Sequence, residues 1–132
     1  MDDMGTFRID IELENPAVRG ARRRVTQLLV DTGSELTWVP ADDLVALGVA
    51  RERIKRFRQA SGAVVERATG TVWVHTGATF TPDEVVFGEP GDLRILGSRT
   101  LEGLNVTIDP VSKRLVDAGP APAAAALAAA AA

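Results

Sequence analysis

The chain has 132 residues, a net charge of −3, no cysteine, one histidine and 45% hydrophobic residues. That length holds one small domain and excludes two of ordinary size. Without cysteine there is no disulfide framework and no thiolate metal site, and a single histidine cannot build a zinc cluster, so neither metal nor cofactor is expected.

The acidic start Met1-Asp2-Asp3-Met4 lacks the pattern of a signal peptide. Outside the C-terminal tail no apolar run is long enough to span a membrane, which predicts a cytoplasmic protein with no membrane partner. Phe7, Ile9, Ile11 and Leu13 alternate with Arg8, Asp10, Glu12 and Glu14, the period-two signature of a half-buried strand. Asn15-Pro16 opens a turn, and the segment up to Arg24, with Gly20 and three arginines at 22–24, reads as a solvated loop. Because the net charge is acidic, that triplet has no wider basic footprint and no nucleic-acid partner is expected.

Residues 25–30 form the next strand, whose apolar run Leu28-Leu29-Val30 is typical of a buried one. It stops at Asp31-Thr32-Gly33-Ser34. An extended pattern resumes at 36–39 and ends at Pro40. Asp42 or Asp43 then caps a short helix through Leu47, closed by Gly48. Residues 56–60 and 63–67 read as a hairpin around Ser61-Gly62, and Gly70 separates it from a strand at 71–76. Gly77 marks a turn, 84–87 a strand, 88–92 a dense loop and 93–96 a strand stopped by Gly97. Ser98 caps a helix that buries Leu101 and Leu104. Strands at 106–109 and 114–116 are joined by a turn at 110–113. About eight short strands with two helical turns predict an all-β fold, a small closed or partly closed β-barrel with one or two short helices. The domain spans 1–117. The tail at 118–132 is rich in alanine and proline and reads as disordered or a short helix.

The stretch Leu28-Leu29-Val30-Asp31-Thr32-Gly33-Ser34 carries chemistry. A buried strand delivers an aspartate where the chain turns, a hydroxyl follows, and Gly33 lets the backbone approach another group closely. Asp-Thr-Gly alone is also ordinary turn chemistry. Downstream, Arg94-Ile95-Leu96-Gly97 enters a helical turn. An Asp-Thr-Gly turn, a hairpin, then an apolar-apolar-glycine strand entering a short helix resembles the plan of retroviral-type (retropepsin-like) aspartic proteases of the bacterial single-domain sort. The resemblance covers residues 6–116, with 100–104 and Asp109-Pro110 as weaker support.

The resemblance implies that Asp31 is the catalytic aspartate, that Thr32 braces the site across to a partner copy, and that Gly33 lies beside the substrate backbone. The hairpin tip at Ala60, Ser61 and Gly62 is then a flap, and Ser34, Glu35, Ile95 and Leu96 belong to the peptide-binding surface. That chemistry needs two carboxylates sharing one proton. Only one Asp-Thr-Gly occurs, and the echoes Ala68-Thr69-Gly70 and His75-Thr76-Gly77 supply no acid. The implied enzyme is therefore a homodimeric aspartic endopeptidase acting on peptide or protein substrates, with Asp31 facing its twin across a twofold axis.

The chain departs from the family pattern in two places. The flap has Gly62 alone at its tip, and Ser98-Arg99 stands where retroviral members commonly carry an arginine directly after the glycine. In the family that arginine pairs with an acid just beyond the catalytic turn, and Glu35–Arg99 is the expected, shifted version of that pair. The alternative function is a dimeric binding or assembly module of the same fold with little or no turnover. His75 reads as a surface strand residue rather than a base, and Trp38 and Trp73 as core or rim residues.

Overall fold

The computed structural model describes residues 7–121, so the acidic start and the alanine-rich stretch at 122–132 lie outside the described residues. Nine strands and two short helices follow in chain order: β1 (Arg8–Glu14), β2 (Arg22–Val30), β3 (Thr37–Pro40), α1 (Ala41–Ala46), β4 (Arg53–Arg58), β5 (Val64–Thr76), β6 (Thr79–Gly88), β7 (Ile95–Leu96), α2 (Ser98–Leu104), β8 (Val106–Asp109) and β9 (Arg114–Asp117). Seven strands share one sheet in the order β1-β2-β7-β3-β6-β5-β4. A further pairing of β1 with β5 largely closes it into a barrel. β8 and β9 form a separate two-stranded sheet. Among the described residues no helix is long and apolar enough to cross a membrane.

The alternation in β1 does what period two requires, placing Ile11 and Leu13 in the interior with Val25, Leu28, Val72, Val74 and Leu96. Burying each such side chain contributes about 1.5–3 kcal/mol. β2 begins at Arg22, not at residue 25, because the arginines predicted to sit in a loop find cross-strand acids. Arg22 meets Glu12 at 3.2 Å, Arg24 meets Asp10 at 2.6 Å, and Arg23 reaches Asp43 at 2.6 Å. A bulge interrupts this pair, since Ile9 lies opposite Leu28 but Ile11 opposite Val25. Gln27, at φ 62°, is the extra residue, and the Asp10 carboxylate accepts its N–H at 2.9 Å.

Gly70 does not break a strand. β5 runs through it for 13 residues. A Cβ at Gly70 would lie 2.5 Å from the Ala50 carbonyl oxygen and 2.9 Å from the Phe87 ring, so glycine is required there by crowding rather than by a turn. The hairpin strand β4 starts and ends earlier than predicted, which leaves Ala60 in a loop at 59–63 with Gly62 at φ 91°. β6 extends back to Thr79, and β7 is only two residues long. The predicted helix caps also differ: Pro40 and Gly97 occupy the N-cap positions, with no side-chain cap bond at either. Asp42 and Asp43 lie inside the first turn of α1, where negative charge suits the helix dipole.

Candidate active site

Two parallel strands position the aspartate. Leu29 and Val30 of β2 pair with Ile95 and Leu96 of β7, and the ladder continues one step past the strand end, where the Asp31 N–H donates to the Leu96 carbonyl at 3.0 Å. Asp31 and Gly97 thus leave adjacent strand ends together. The Asp31 carboxylate is half-buried, and its Oδ1 accepts the Gly33 N–H at 2.9 Å, closing a tight turn. Thr32 and Gly33 are exposed at the tip of that turn.

The loop after the turn is stapled to the start of α2. The Ser98 N–H donates to the Ser34 carbonyl at 2.8 Å and the Arg99 N–H to the Glu35 carbonyl at 3.0 Å. Gly97 lies flat against this loop. A Cβ there would sit 2.5 Å from the Leu36 carbonyl oxygen, so the apolar-apolar-glycine pattern exists to let two backbones touch. The Ser34 hydroxyl donates to the Leu36 carbonyl at 2.8 Å.

Beneath the loop runs a buried chain of hydrogen bonds that no sequence signal disclosed. The Gly97 N–H donates to Thr37 Oγ1 at 2.9 Å, Thr37 Oγ1 lies 2.6 Å from Thr100 Oγ1, and the Thr100 hydroxyl donates to Asp83 Oδ2 in a short bond. Thr37, Thr100 and Asp83 are all buried. Burial pushes the Asp83 carboxyl above its ordinary value, against the hydrogen bonds from Thr100 and the Glu84 N–H that favour its charged form.

The expected residues are brought together unevenly. Asp31, Thr32, Gly33, Ser34 and Glu35 form one loop beside Ile95 and Leu96. The Leu96 side chain is fully buried, so what it gives the site is its carbonyl, not a substrate contact. Ala60, Ser61 and Gly62 sit at an exposed hairpin tip, and among the described residues no hydrogen bond joins that tip to the Asp31 loop. The link is aromatic: Phe57 of β4 stands edge-on to Trp38 of β3 at 5.0 Å. With Leu36, Val65, Val86 and Ile95 they make a small apolar cluster separate from the barrel core. Trp38 is therefore core, as expected, but also the wall next to the Asp31 loop. Phe57 and Val65 were not foreseen; their alternation on β4 and β5 was the available signal.

The expected Glu35–Arg99 side-chain pair does not form. The two meet through backbone, and the Arg99 guanidinium instead approaches Glu84 at 4.0 Å, the carboxylate that also anchors Arg53 at 2.6 Å. His75 is half-buried rather than freely exposed. Its Nε2 lies 2.7 Å from Glu14 and its side chain is only 11% exposed, covered where β1 closes on β5. Surface cavities occur between β1 and the β8–β9 hairpin, around Trp73 and His75, and beside the loop at 88–94; Asp31, Thr32 and Gly33 line none of these.

Five carboxylates, Asp10, Glu14, Glu84, Asp92 and Asp109, are held below their ordinary range by hydrogen bonds and cations, and Glu14 and Glu84 are shifted furthest. The Gly20 N–H and then His75 hold Glu14 down to about 2, and Arg53 with Thr69 hold Glu84 down to about 2, against an ordinary 4.5. A depressed carboxylate contributes stability that is complete above its unfolded value and lost as pH falls through its folded one. Asp83 works the other way, gaining its proton more readily in the fold and so favouring the native state as pH falls. With five lowered carboxylates against one raised, the urea midpoint is expected to drop as pH falls from 4.5 to 2, and Glu84→Gln is expected to flatten that decline. A variant whose acid limb matches wild type would remove Glu84 from this role.

A scan against protein-family models finds no match to this chain, and a search of curated proteins finds none.

Proposed function

We propose that the chain is one half of an aspartic endopeptidase of the retropepsin type, completed by a second copy. The observation that carries this is the exposed Asp-Thr-Gly turn at the end of the buried β2–β7 pair, with one Asp31 oxygen secured by the Gly33 N–H and Gly97 packed on the loop behind it. A surface turn needs none of this support, whereas a catalytic group must be held within fractions of an ångström. The turn is open and carries a single aspartate, as half of a symmetric site would.

In the dimer two Asp31 carboxyls share one proton, since like charges a few ångströms apart do not both ionise. The ionised one takes a proton from a bound water, whose oxygen attacks the scissile carbonyl carbon. The protonated one gives its proton to the carbonyl oxygen. Collapse of the resulting diol breaks the C–N bond as the amine nitrogen is protonated. The β4–β5 hairpin closes over the peptide, excluding water.

The test is dilution. Specific activity on a peptide library is expected to fall with enzyme concentration once subunits separate, in step with the dimer fraction from sedimentation. Cleavage strictly proportional to enzyme concentration, by a species sedimenting as a monomer, would rule out a shared site. A stable dimer that cleaves nothing in the library would favour the binding module.

A further inference from the structure

We infer that the open edge of β4 docks an extended segment in which acidic and apolar side chains alternate, and that this is the class of substrate the proposed site takes. The inference rests on the peptidase reading for the fate of the bound segment. β4 closes the strand order on one side and pairs only with β5 among the described residues, so its far edge presents free backbone N–H and C=O groups. Its sequence is Arg53-Ile54-Lys55-Arg56-Phe57-Arg58, four cations in six residues, on a protein whose net charge is −3.

These cations are not equivalent. Arg53 is committed to Glu84. Arg56 and Arg58 lie on the opposite face from Phe57, both exposed, and neither has an acidic partner within ion-pair distance among the described residues. Glu66 stands across the hairpin from Arg56 without pairing to it, and Arg58 donates to the Gly62 carbonyl. Phe57 on the other face leans on Trp38, beside the Asp31 loop.

A strand added to this edge places side chains two residues apart next to Arg56 and Arg58, while the one between them faces the Phe57 side. Acid-apolar-acid is the complementary pattern. A second copy of β4 would set cation against cation, so the charges that guard the edge against self-pairing select for an acidic strand.

The experiment uses the full-length Asp31→Asn protein and fluorescein-labelled peptides of alternating Glu and Val, with Gln replacing Glu in one control and N-methylation of alternate amides in another. Anisotropy at low salt is expected to show the Glu peptide binding about tenfold more tightly than the Gln peptide, the value for two opposite-charge cross-strand pairs. The gap should narrow at high salt. N-methylation of the edge-facing amides should remove binding. Arg56→Gln with Arg58→Gln should erase the preference for Glu, and Arg56→Lys with Arg58→Lys should keep it. Equal affinity for Glu and Gln peptides, or undiminished binding of both N-methylated registers, overturns the inference. Cleavage by wild type without acidic preference in binding leaves the peptidase and removes this docking edge; binding of the acidic peptide with no cleavage of any peptide does the reverse.

Discussion

Asp31→Asn is expected to abolish peptide cleavage, by a factor of a thousand or more on the order of other losses of an essential acid–base group, while barrel and assembly persist. The amide has the carboxyl's shape, and its oxygen can still accept the Gly33 N–H that holds the turn at 2.9 Å. What it cannot do is take a proton from water. Since the side chain is half-buried and makes no ion pair among the described residues, the unfolding free energy from urea titration is expected to stay within about 0.5 kcal/mol of wild type. Mass spectrometry of a digested peptide library, with sedimentation of the same sample, reads both. Unchanged cleavage by the variant would falsify the assignment of Asp31.

Asp83→Ala is expected to destabilise the fold by about 2–4 kcal/mol, the range for stripping a buried hydrogen-bonding group of its charged partner. The chain from the Gly97 N–H through Thr37 and Thr100 runs in one direction and must end on an acceptor, and Asp83 is that acceptor. Its other oxygen accepts the Glu84 N–H at 2.9 Å, so alanine orphans donors at both ends. Asn in its place presents an NH2 to one of two groups that both need an acceptor, and Asp83→Asn should recover only part of the loss. Urea unfolding of the two variants at pH 7 measures this; a loss under about 1 kcal/mol would mean the network is not a principal support of the loop.

Where the sequence was legible, the reason was local. Period two exposes β1, and Gly62, Gly77 and Gly91 announce turns because each adopts a positive φ. The Asp-Thr-Gly turn and the Ile95-Leu96-Gly97 step were visible as a spaced pair, and parallel pairing of β2 with β7 puts them side by side. Where the sequence misled, the cause lay far along the chain. The arginines at 22–24 look solvated until β1 supplies Glu12 and Asp10. Gly70 looks like a break until the Ala50 carbonyl is seen above it. Glu14 alternates as an outward residue, yet closure of the barrel buries it against His75, 61 residues away. The Asp83 network was illegible for the same reason, since Thr37, Asp83 and Thr100 come from three separate elements and none stands in a recognisable spacing.

The placement of the aromatic side chains has a spectroscopic consequence. The chain has two tryptophans and no tyrosine, so its ultraviolet emission belongs to two indoles. One, Trp38, touches Phe57 of the hairpin beside the Asp31 loop; the other, Trp73, lies under the Arg19 guanidinium at 3.8 Å and next to Phe80, on the β1–β5 seam. A movement of β4 away from β3 would separate Phe57 from the first indole, whereas the second lies on the part of β5 beyond its pairing with β4. Trp38 is therefore an optical probe of the β4–β5 hairpin, with Trp73 as an internal reference.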